Sequence, residues 1–334
     1  MGIYKLILWV CLALLFWTFV GYPLAIWILS FLFPNPWKTK EFTGTISLII
    51  AAHNEEKVIR EKIENCLELD FGSADFEIII ISDGSTDATN QILSDYLNAS
   101  DRLYISTYHP RAGKAHALNV GVAMSKGDIL IFSDANVIID PKTCHNLLLS
   151  FEDPNVGAVC GKVLVKARGT QEIAGESIYM KYEGFIQRCE AAFNSMVGID
   201  GAFFALRREL FKDLAPDLIL DDFALSMEAP LAGLRIVYEN DAVAVEEAIP
   251  CAANELKRKA RIVTGGFQYL SLLMKRNKPL NGKMWFEFVS HKLLRWIAPL
   301  LLILLFILNS MVLEIDFYLG LIAFYKRLMI RHFL

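Results

Sequence analysis

Residues 76–89 have the sequence FEIIIISDGSTDAT, in which an apolar run ends in an acidic segment rich in small polar residues. An uninterrupted apolar run of this length is typical of a strand that is buried on both faces of a parallel sheet. Such a strand brings Asp83 to the loop at its carboxyl end, where ligands bind in open α/β sheets. Residues 128–136, DILIFSDAN, repeat the layout with Asp134. Each aspartate taken alone is equally explained as a turn or helix-cap residue.

The rest of the middle segment continues this alternation. The apolar pattern predicts strands at residues 46–51, 77–82, 103–108, 128–133 and 156–165. It predicts helices at residues 55–69, 87–97, 114–124, 143–151 and 174–194. Strands that alternate with helices of this length form a mostly parallel sheet with right-handed crossovers. The sequence therefore predicts an α/β fold in a single domain.

Both ends of the chain are strongly apolar. The 334 residues are 54% hydrophobic, and the mean hydropathy is +0.38, although the middle is normally polar. Residues 6–33 carry no charge and exceed the ~20 residues that a membrane-spanning helix needs. Residues 293–313 form a second apolar run, in which Arg295 near the start is the one charged residue. A secretory signal peptide is disfavoured for the first run, because the run is long and has no A-x-A-like cleavage site. The sequence therefore predicts three parts: an N-terminal span and linker (1–43), the middle domain (44–288), and a C-terminal span with a short tail (289–334).

Charges flanking the two spans predict the topology. The basic residues on the side of the middle domain are Lys38, Lys40, Lys283, Lys292 and Arg295. By the positive-inside rule, they place the middle domain in the cytoplasm and the chain in the cell membrane as a multi-pass protein. Residues 317–334 are short for a further span, so they either lie at the membrane interface or begin another helix.

Composition excludes several classes of protein. A net charge of −4 gives no reason to expect nucleic-acid binding. The basic segments 257–261 and 275–278 lie near the second span, where attraction to anionic lipid is the simplest explanation. The six cysteines lack C-x-x-C spacing, which disfavours a zinc site or a disulfide framework and fits a reducing compartment.

Seven segments together carry a family resemblance. They are IIAAHNEE (49–56), ISDGSTDAT (81–89), RAGKAHALNVG (111–121), FSDAN (132–136), VGIDGAFFALRRE (197–209), LDDFALSMEA (220–229) and RKARIVTGG (258–266). In this order the chain resembles the inverting glycosyltransferases of family 2 with the GT-A fold. The resemblance covers roughly residues 44–310. It is strongest to the membrane-anchored branch similar to cellulose, chitin and hyaluronan synthases and exopolysaccharide glycosyltransferases.

The resemblance implies a donor site for a UDP-sugar. Ala52, Glu55 and Asp83 match the positions that hold the uracil ring in the family. Lys114 matches the lysine that contacts the diphosphate, and an ammonium at the start of a helix also suits a diphosphate on physical grounds. Asp134 matches the acid that binds the ribose, the diphosphate and a divalent ion.

The same resemblance predicts Mg²⁺ or Mn²⁺ as cofactor, held by Asp134 and Asn136. Both ions favour oxygen ligands. Asn136 stands where the family has a second acid, which leaves the ligand set open. Arg261 matches the arginine that pairs with the diphosphate in the Q-x-x-R-W motif of processive synthases.

The acceptor side follows from two further segments. Asp222 matches the general base, which removes the proton of the attacking hydroxyl group in an inverting transfer. Its neighbour Asp221, together with Gly198, Asp200 and Gly201, matches the acceptor-binding positions. Two adjacent carboxylates that only cap a helix are the structural alternative.

Several interpretations stay open. Ile262 stands where processive synthases have tryptophan, so both polymerisation and the addition of one sugar to a glycan or lipid-linked acceptor are compatible with the sequence. A polymerising enzyme would need a polysaccharide-export partner. A catalytically silent nucleotide-sugar-binding subunit fits the altered motifs, but it would not need both Asp222 and Lys114. A membrane-attached nucleotidyltransferase would be expected to have a glycine-rich, basic loop after the first strand instead of AAHNEE.

Overall fold

A mixed β-sheet forms the centre of the computed structural model, which describes residues 3–167, 178–199, 201–248, 252–276, 279–311, 322 and 324–327. The strands are β1 (Thr45–Ala52), β2 (Asp75–Asp83), β3 (Leu103–Tyr108), β4 (Ile129–Asp134), β5 (Val137–Ile139), β6 (Val156–Ala167), β7 (Phe203–Arg207) and β8 (Arg235–Ala248). Their spatial order is β3-β2-β1-β4-β7-β6-β8-β5.

The helices surround this sheet and extend from it at both ends of the chain. They are α1 (Ile3–Phe16), α2 (Tyr22–Leu32), α3 (Ile59–Leu67), α4 (Thr89–Asp95), α5 (Lys114–Met124), α6 (Thr143–Leu148), α7 (Ile178–Phe193), α8 (Asp221–Ser226), α9 (Glu228–Ala232), α10 (Ala252–Met274), α11 (Gly282–Phe288) and α12 (Leu294–Met311).

The first half of the sheet confirms the sequence prediction. β3, β2, β1 and β4 pair in parallel, and the predicted strands among them lie within two residues of the observed bounds. Ile79 and Ile81 pack with α5 on one face, while Ile78 and Ile80 pack with α3 and α4 on the other. Burial on both faces explains why these strands are apolar throughout.

The second half of the sheet corrects the prediction of a mostly parallel sheet. β7 runs antiparallel to both β4 and β6, and β5 runs antiparallel to β8, so the sheet is mixed. β5 and β7 were not predicted, because strands of three and five residues are too short for a clear periodicity. β8 was also missed, since its apolar residues are interrupted by the segment ENDA.

Three predicted helices are shorter in the structure. The helix predicted at 55–69 begins at Ile59, because the backbone N–H groups before it bond to the loop that follows β2. The helix predicted at 87–97 is α4, and the one at 143–151 is α6 followed by a 3-10 turn at Leu149–Glu152. The helix predicted at 174–194 is α7, and the start of that prediction lies outside the described residues.

The apolar ends form two long helices. Ile3–Leu32 and Gly282–Asn309 are each long and apolar enough to cross a membrane. The second begins well before residue 293, and the predicted domain boundary between residues 288 and 289 falls within it. α1 packs against α12 through Leu8, Cys11, Leu305 and Leu308. The predicted tail at 317–334 lies almost entirely outside the described residues.

A buried polar network fastens both long helices to α7. The Tyr22 hydroxyl donates to Glu190 Oε1. His291 lies between two carboxylates, with Nδ1 2.7 Å from Glu190 Oε1 and Nε2 2.9 Å from Glu183 Oε1. The Arg295 guanidinium donates to Glu183 Oε2. The long helices and the sheet domain are therefore joined by charge pairs as well as by apolar packing.

Candidate active site

The carboxyl ends of β1, β2 and β4 open into a cleft with a volume of about 830 Å³. Pockets of roughly 300–1,000 Å³ are typical of small-molecule and cofactor sites. The described lining residues include every position predicted to hold the donor or the ion: Ala52, Glu55, Asp83, Lys114, Asp134, Asn136 and Arg261. The structure therefore brings these residues to one cleft, whereas their individual roles stay predictions.

The wall formed by residues 53–56 is fixed by the loop after β2. Asn54 has a left-handed φ of 56°, and its Oδ1 accepts from the Thr86 N–H at 2.8 Å. The Asn54 N–H donates to Ser85 Oγ at 3.2 Å, and the Glu55 N–H donates to Thr89 Oγ1 at 2.8 Å. The segments HNEE and DGSTDAT therefore form one rigid rim, in which Asn54 is a turn residue.

Asp83 is buried, with only 3% of its side chain exposed. Its Oδ1 accepts from the Ala112 N–H at 2.7 Å and from the Tyr108 hydroxyl at 3.0 Å, and its Oδ2 accepts from the Gly113 N–H at 2.8 Å. Burial, followed by the bond to Asp83, raises the pKa of Tyr108, which keeps that hydroxyl a donor. Asp83 thus holds the loop that precedes Lys114, and its direct bond to a base stays a prediction.

Lys114 joins two of the acidic signatures. Its Nζ donates to Asp134 Oδ1 at 2.7 Å and lies 3.5 Å from Asp221 Oδ2. Desolvation opposes the charged ammonium, but the attraction of Asp134 and then of Asp221 outweighs it and raises the pKa of Lys114. The lysine is therefore a permanent cation at neutral pH, at the start of α5, where an anionic ligand also meets free backbone N–H groups.

Glu246 is a cleft residue that the sequence analysis missed. It lies near the end of β8, opposite Val137 of β5, and its Oε1 is 3.4 Å from the Asn136 Nδ2. Burial and then the charge of Asp134 raise its pKa above the ordinary value of 4.5. An acid within the apolar run AVAVEEA was the available signal, but an alternating strand explains the same pattern.

The oxygen atoms near Asp134 decide whether the cleft suits a divalent ion. The described residues contain no group of three or more His, Cys, Asp or Glu side chains placed to hold a metal. Asp134, Asn136 and Glu246 nevertheless put carboxylate and amide oxygens on one side of the cleft. This donor chemistry fits Mg²⁺ or Mn²⁺, which commonly take one or two carboxylates together with phosphate oxygens and water.

Asp221 and Asp222 begin α8 and face different partners. Asp221 lies near Lys114, whereas Asp222 Oδ2 accepts from the Gly201 N–H at 2.9 Å and Oδ1 accepts from the Phe223 N–H at 2.7 Å. Two backbone bonds orient the Asp222 carboxylate. The predicted base is therefore a fixed group beside the lysine that holds Asp134.

The remaining predicted acceptor residues have different outcomes in the structure. Gly201 contacts Asp222, but Gly198 is buried with a φ of +69°, and a Cβ there would lie 2.2 Å from the Phe223 ring. Packing and backbone conformation therefore explain that glycine. Asp200 lies outside the described residues. Arg261 is exposed at the edge of the cleft.

Comparison with known proteins decides the family. The family model described as "Glycosyl transferase family 2" matches residues 47–215, which is half of the chain. The chain belongs to glycosyl transferase family 2. The matched segment contains the rim, Lys114, Asp134 and β7, whereas α8 and Glu246 lie beyond it. Most residues that line the cleft therefore lie within the segment that the family model matches.

Two similar proteins are named as polysaccharide synthases. The chain is 28% identical over 271 residues to a poly-β-1,6-N-acetyl-D-glucosamine synthase of Staphylococcus aureus, an alignment that covers 78% of this chain and 64% of the relative. A synthase of the same name from Staphylococcus epidermidis is 28% identical over 232 residues, covering 67% of this chain and 55% of the relative. The chain therefore spans less than two thirds of the length of these relatives.

Solved structures confirm the fold. The mannosyltransferase PcManGT from Pyrobaculum calidifontis, solved with GDP-Man and Mn²⁺, has a TM-score of 0.76 at 21% identity, covering 97% of this chain and 92% of that one. Residues 1–349 of S. aureus TarS, solved with UDP-GlcNAc, give a TM-score of 0.54 at 18% identity, with 74% and 72% covered. The mixed sheet and its helices are thus an α/β arrangement of the GT-A type.

Proposed function

We propose that this chain is an inverting glycosyltransferase that moves a sugar from a UDP-sugar to a hydroxyl group of a glycan or lipid-linked acceptor at the cytoplasmic face of the membrane. One observation carries the proposal. The Lys114 ammonium lies 2.7 Å from Asp134 and 3.5 Å from Asp221, so that an acid from the donor loop and an acid beside the predicted base meet at one cation. This arrangement supports the proposal of a diphosphate site and a general base at the same edge of the sheet.

The donor binds in the cleft. The nucleoside lies against Ala52 and Glu55 on the rim, and the diphosphate reaches the start of α5. There Lys114 and Arg261 offer positive charge, and the backbone N–H groups of the first helical turn favour an anion. In this state Lys114 exchanges part of its attraction to Asp134 for the phosphate oxygens.

A divalent ion is held by Asp134, with Asn136 and Glu246 as the nearby oxygen groups. When bound, such an ion neutralises charge that develops on the leaving diphosphate. The Mn²⁺ named in the structure of the mannosyltransferase supports this assignment.

Transfer is a single displacement. Asp222 accepts the proton of the acceptor hydroxyl group, whose oxygen forms a bond to the anomeric carbon. The bond between that carbon and the β-phosphate oxygen breaks, and its electron pair leaves with the diphosphate, which Lys114 and Arg261 stabilise. One displacement inverts the configuration at the anomeric carbon. The backbone bonds from Gly201 and Phe223 hold the base in place.

The acceptor and the location follow from the ends of the chain. The long helices Ile3–Leu32 and Gly282–Asn309 are long and apolar enough to cross a membrane and pack together, which supports a sheet domain attached to the bilayer. A lipid-linked or growing glycan would thus reach the cleft from the membrane side. The named relatives make poly-β-1,6-N-acetyl-D-glucosamine, so N-acetylglucosamine is the first sugar to test, and a polymer product would need an export partner.

One comparison supports a second candidate for the donor. The mannosyltransferase solved with GDP-Man matches 97% of this chain, whereas the TarS structure solved with UDP-GlcNAc matches 74%. GDP-mannose is therefore the second donor candidate. A catalytically silent nucleotide-sugar-binding subunit is the alternative that the test must separate.

The test is nucleotide release in membranes that carry this chain, supplied with UDP-sugars or GDP-mannose, Mn²⁺ and a native lipid extract. We expect one UDP-sugar to release UDP, and the Lys114→Met variant to release at least about 100-fold less, since removal of a single oxyanion-stabilising donor typically costs about 100- to 1,000-fold. Lys126→Met, at an exposed lysine beyond the other end of α5 and outside the cleft lining, is the matched control and should keep its activity. Release of GDP from GDP-mannose, without release of UDP from any UDP-sugar, would show that GDP-mannose is the donor. Binding of UDP without any release would support the silent subunit.

A further inference from the structure

A buried lysine lies beneath the loop that carries Asp134 and Asn136. Lys62 of α3 is 0% exposed, although a fully buried lysine is rare unless it is paired. Its Nζ donates to Ser133 Oγ at 2.8 Å and to the Val137 carbonyl at 2.6 Å. Neither of these two acceptors carries a charge. The ammonium is therefore bonded to neutral acceptors only.

The two acceptors lie on either side of the loop. Ser133 directly precedes Asp134, and Val137 directly follows Asn136. A second residue of the same helix extends the attachment: Asn65 Nδ2 donates to the Ile139 carbonyl at 2.7 Å, and the Ile139 N–H donates to Asn65 Oδ1 at 2.9 Å. α3 thus holds the loop at its first residue, at its last residue and at the end of β5.

This attachment is costly for the fold alone. Burying an ammonium is unfavourable, and hydrogen bonds to two neutral acceptors offset only part of the desolvation cost. Packing α3 against the sheet does not need the charge either, since Ile59 and Ile63 of the same helix are fully buried in the core. The bonds of Lys62 instead fix the segment from which the cleft receives its oxygen ligands.

We propose that Lys62 is a positioning residue for the donor site, which fixes the loop 133–137 so that Asp134 and Asn136 present their oxygens to the ion and the diphosphate. This inference rests on the proposed function. Lys62 touches neither donor nor ion. It acts through the backbone and through Ser133, as residues behind metal ligands commonly do.

The experiment compares full-length Lys62→Met with the wild-type protein in detergent. We measure Mn²⁺ binding by electron paramagnetic resonance with UDP present, and thermal unfolding of the same samples. Positioning predicts that Lys62→Met, measured well below its own melting temperature, binds Mn²⁺ about 10–100-fold more weakly, the usual effect of losing a partner behind a metal ligand. Lys62→Arg, which keeps a cation and its donors, should recover part of the affinity.

Ile63→Val is the matched control on the same helix. It removes one buried methyl group without touching the loop, so we expect a lower melting temperature and unchanged Mn²⁺ affinity. Asn65→Ala, which removes only the bonds to Ile139, is the second variant if Lys62→Met fails to fold, and it should weaken Mn²⁺ binding in the same direction.

The possible results separate the two proposals. Wild-type protein that binds UDP with Mn²⁺, beside a folded Lys62→Met of equal affinity, would overturn the positioning role and leave the proposed function intact. If Lys62→Met does not fold, an Asn65→Ala variant of wild-type affinity overturns the positioning role in its place. Wild-type protein that binds neither Mn²⁺ nor UDP would overturn both. A folded Lys62→Met with a weaker ion site, beside an Ile63→Val variant of unchanged Mn²⁺ affinity, would establish the role.

Discussion

At the scale of single residues, opposite charges meet at the inner side of the cleft. Lys114 stands between Asp134 and Asp221, and Asp222 is held beside it by backbone N–H groups. Such a cluster is preorganised, because its dipoles and charges are already aimed when the donor arrives. Glu246 is the member whose environment is least favourable to its charge, so it gives the sharpest test at this scale.

Glu246→Gln should separate stability from ion binding. Burial and the charge of Asp134 raise the pKa of Glu246 above 4.5, so the folded protein binds that proton more tightly than the unfolded chain does. Ionisation therefore lowers stability as the pH rises through the raised pKa. Without divalent ions, we expect Glu246→Gln to melt at a higher temperature than wild type at pH 7, and the difference to shrink as the pH falls towards 4.5. With Mn²⁺ and UDP, the wild type should gain more stability than the variant.

Glu239→Gln is the matched control on the same strand. Burial also raises the pKa of Glu239, but this residue lies away from the cleft. It should reproduce the pH-dependent gain in melting temperature and leave the stabilisation by Mn²⁺ unchanged. Equal stabilisation of wild type and Glu246→Gln by Mn²⁺ would rule out Glu246 as an ion ligand.

At the scale of elements, α7 connects the sheet domain to both long helices. Burial alone would raise the pKa of Glu183, but the charges of His291 and Lys292 hold it well below its ordinary value of 4.5. A carboxyl with a lowered pKa stabilises the fold above the unfolded pKa of about 4.3, and this contribution is lost as the pH falls through the lowered value. The attachment of the long helices is thus expected to weaken in acid.

Glu183→Gln tests that attachment. Removing one partner of a buried charge network typically costs about 3–5 kcal/mol, so we expect a clearly lower melting temperature in detergent at pH 7. The deficit should disappear at a pH where Glu183 of the wild type is protonated. Lys181→Gln, an exposed change on the same helix, should alter stability by no more than about 0.5 kcal/mol. A deficit that does not change with pH would contradict the electrostatic account.

At the scale of the whole molecule, prediction from the sequence succeeded where a pattern repeats and failed where one residue depends on distant ones. β1 to β4 and α5 were predicted closely, because long apolar runs and a glycine before Lys114 define them locally. The direction of β7 depends on its pairing with β4 and β6, which no local pattern encodes. Lys62 resembles a surface charge of an amphipathic helix, and its burial appears only when α3 meets β4 and β5.

The proposed membrane topology rests on fewer charges than the sequence analysis counted. Lys292 and Arg295, which the positive-inside argument counted, are paired with Glu183 inside the protein. Lys38, Lys40 and Lys283 remain to support a cytoplasmic sheet domain. This topology stays a proposal that can be measured directly.

Cysteine labelling measures on which side of the membrane the sheet domain lies. Leu97 is 57% exposed on the sheet domain, so Leu97→Cys offers a reactive thiol there, whereas the described native cysteines are buried. We expect an impermeant maleimide to label Leu97→Cys in inside-out vesicles but not in intact cells. The unsubstituted chain provides the background from its own cysteines. Labelling in intact cells would reverse the proposed orientation.

The central claim is that the cleft transfers a sugar with Asp222 as the base. The most direct measurement follows a radiolabelled sugar from the UDP-sugar into lipid or polysaccharide, in membranes that carry wild-type protein, Asp222→Asn or its neighbour Asp221→Asn, with UDP affinity measured in parallel. We predict label in the product with wild type, a loss of at least about 1,000-fold with Asp222→Asn at unchanged UDP affinity, and a smaller loss with Asp221→Asn. Transfer by Asp222→Asn at the wild-type rate would contradict the account.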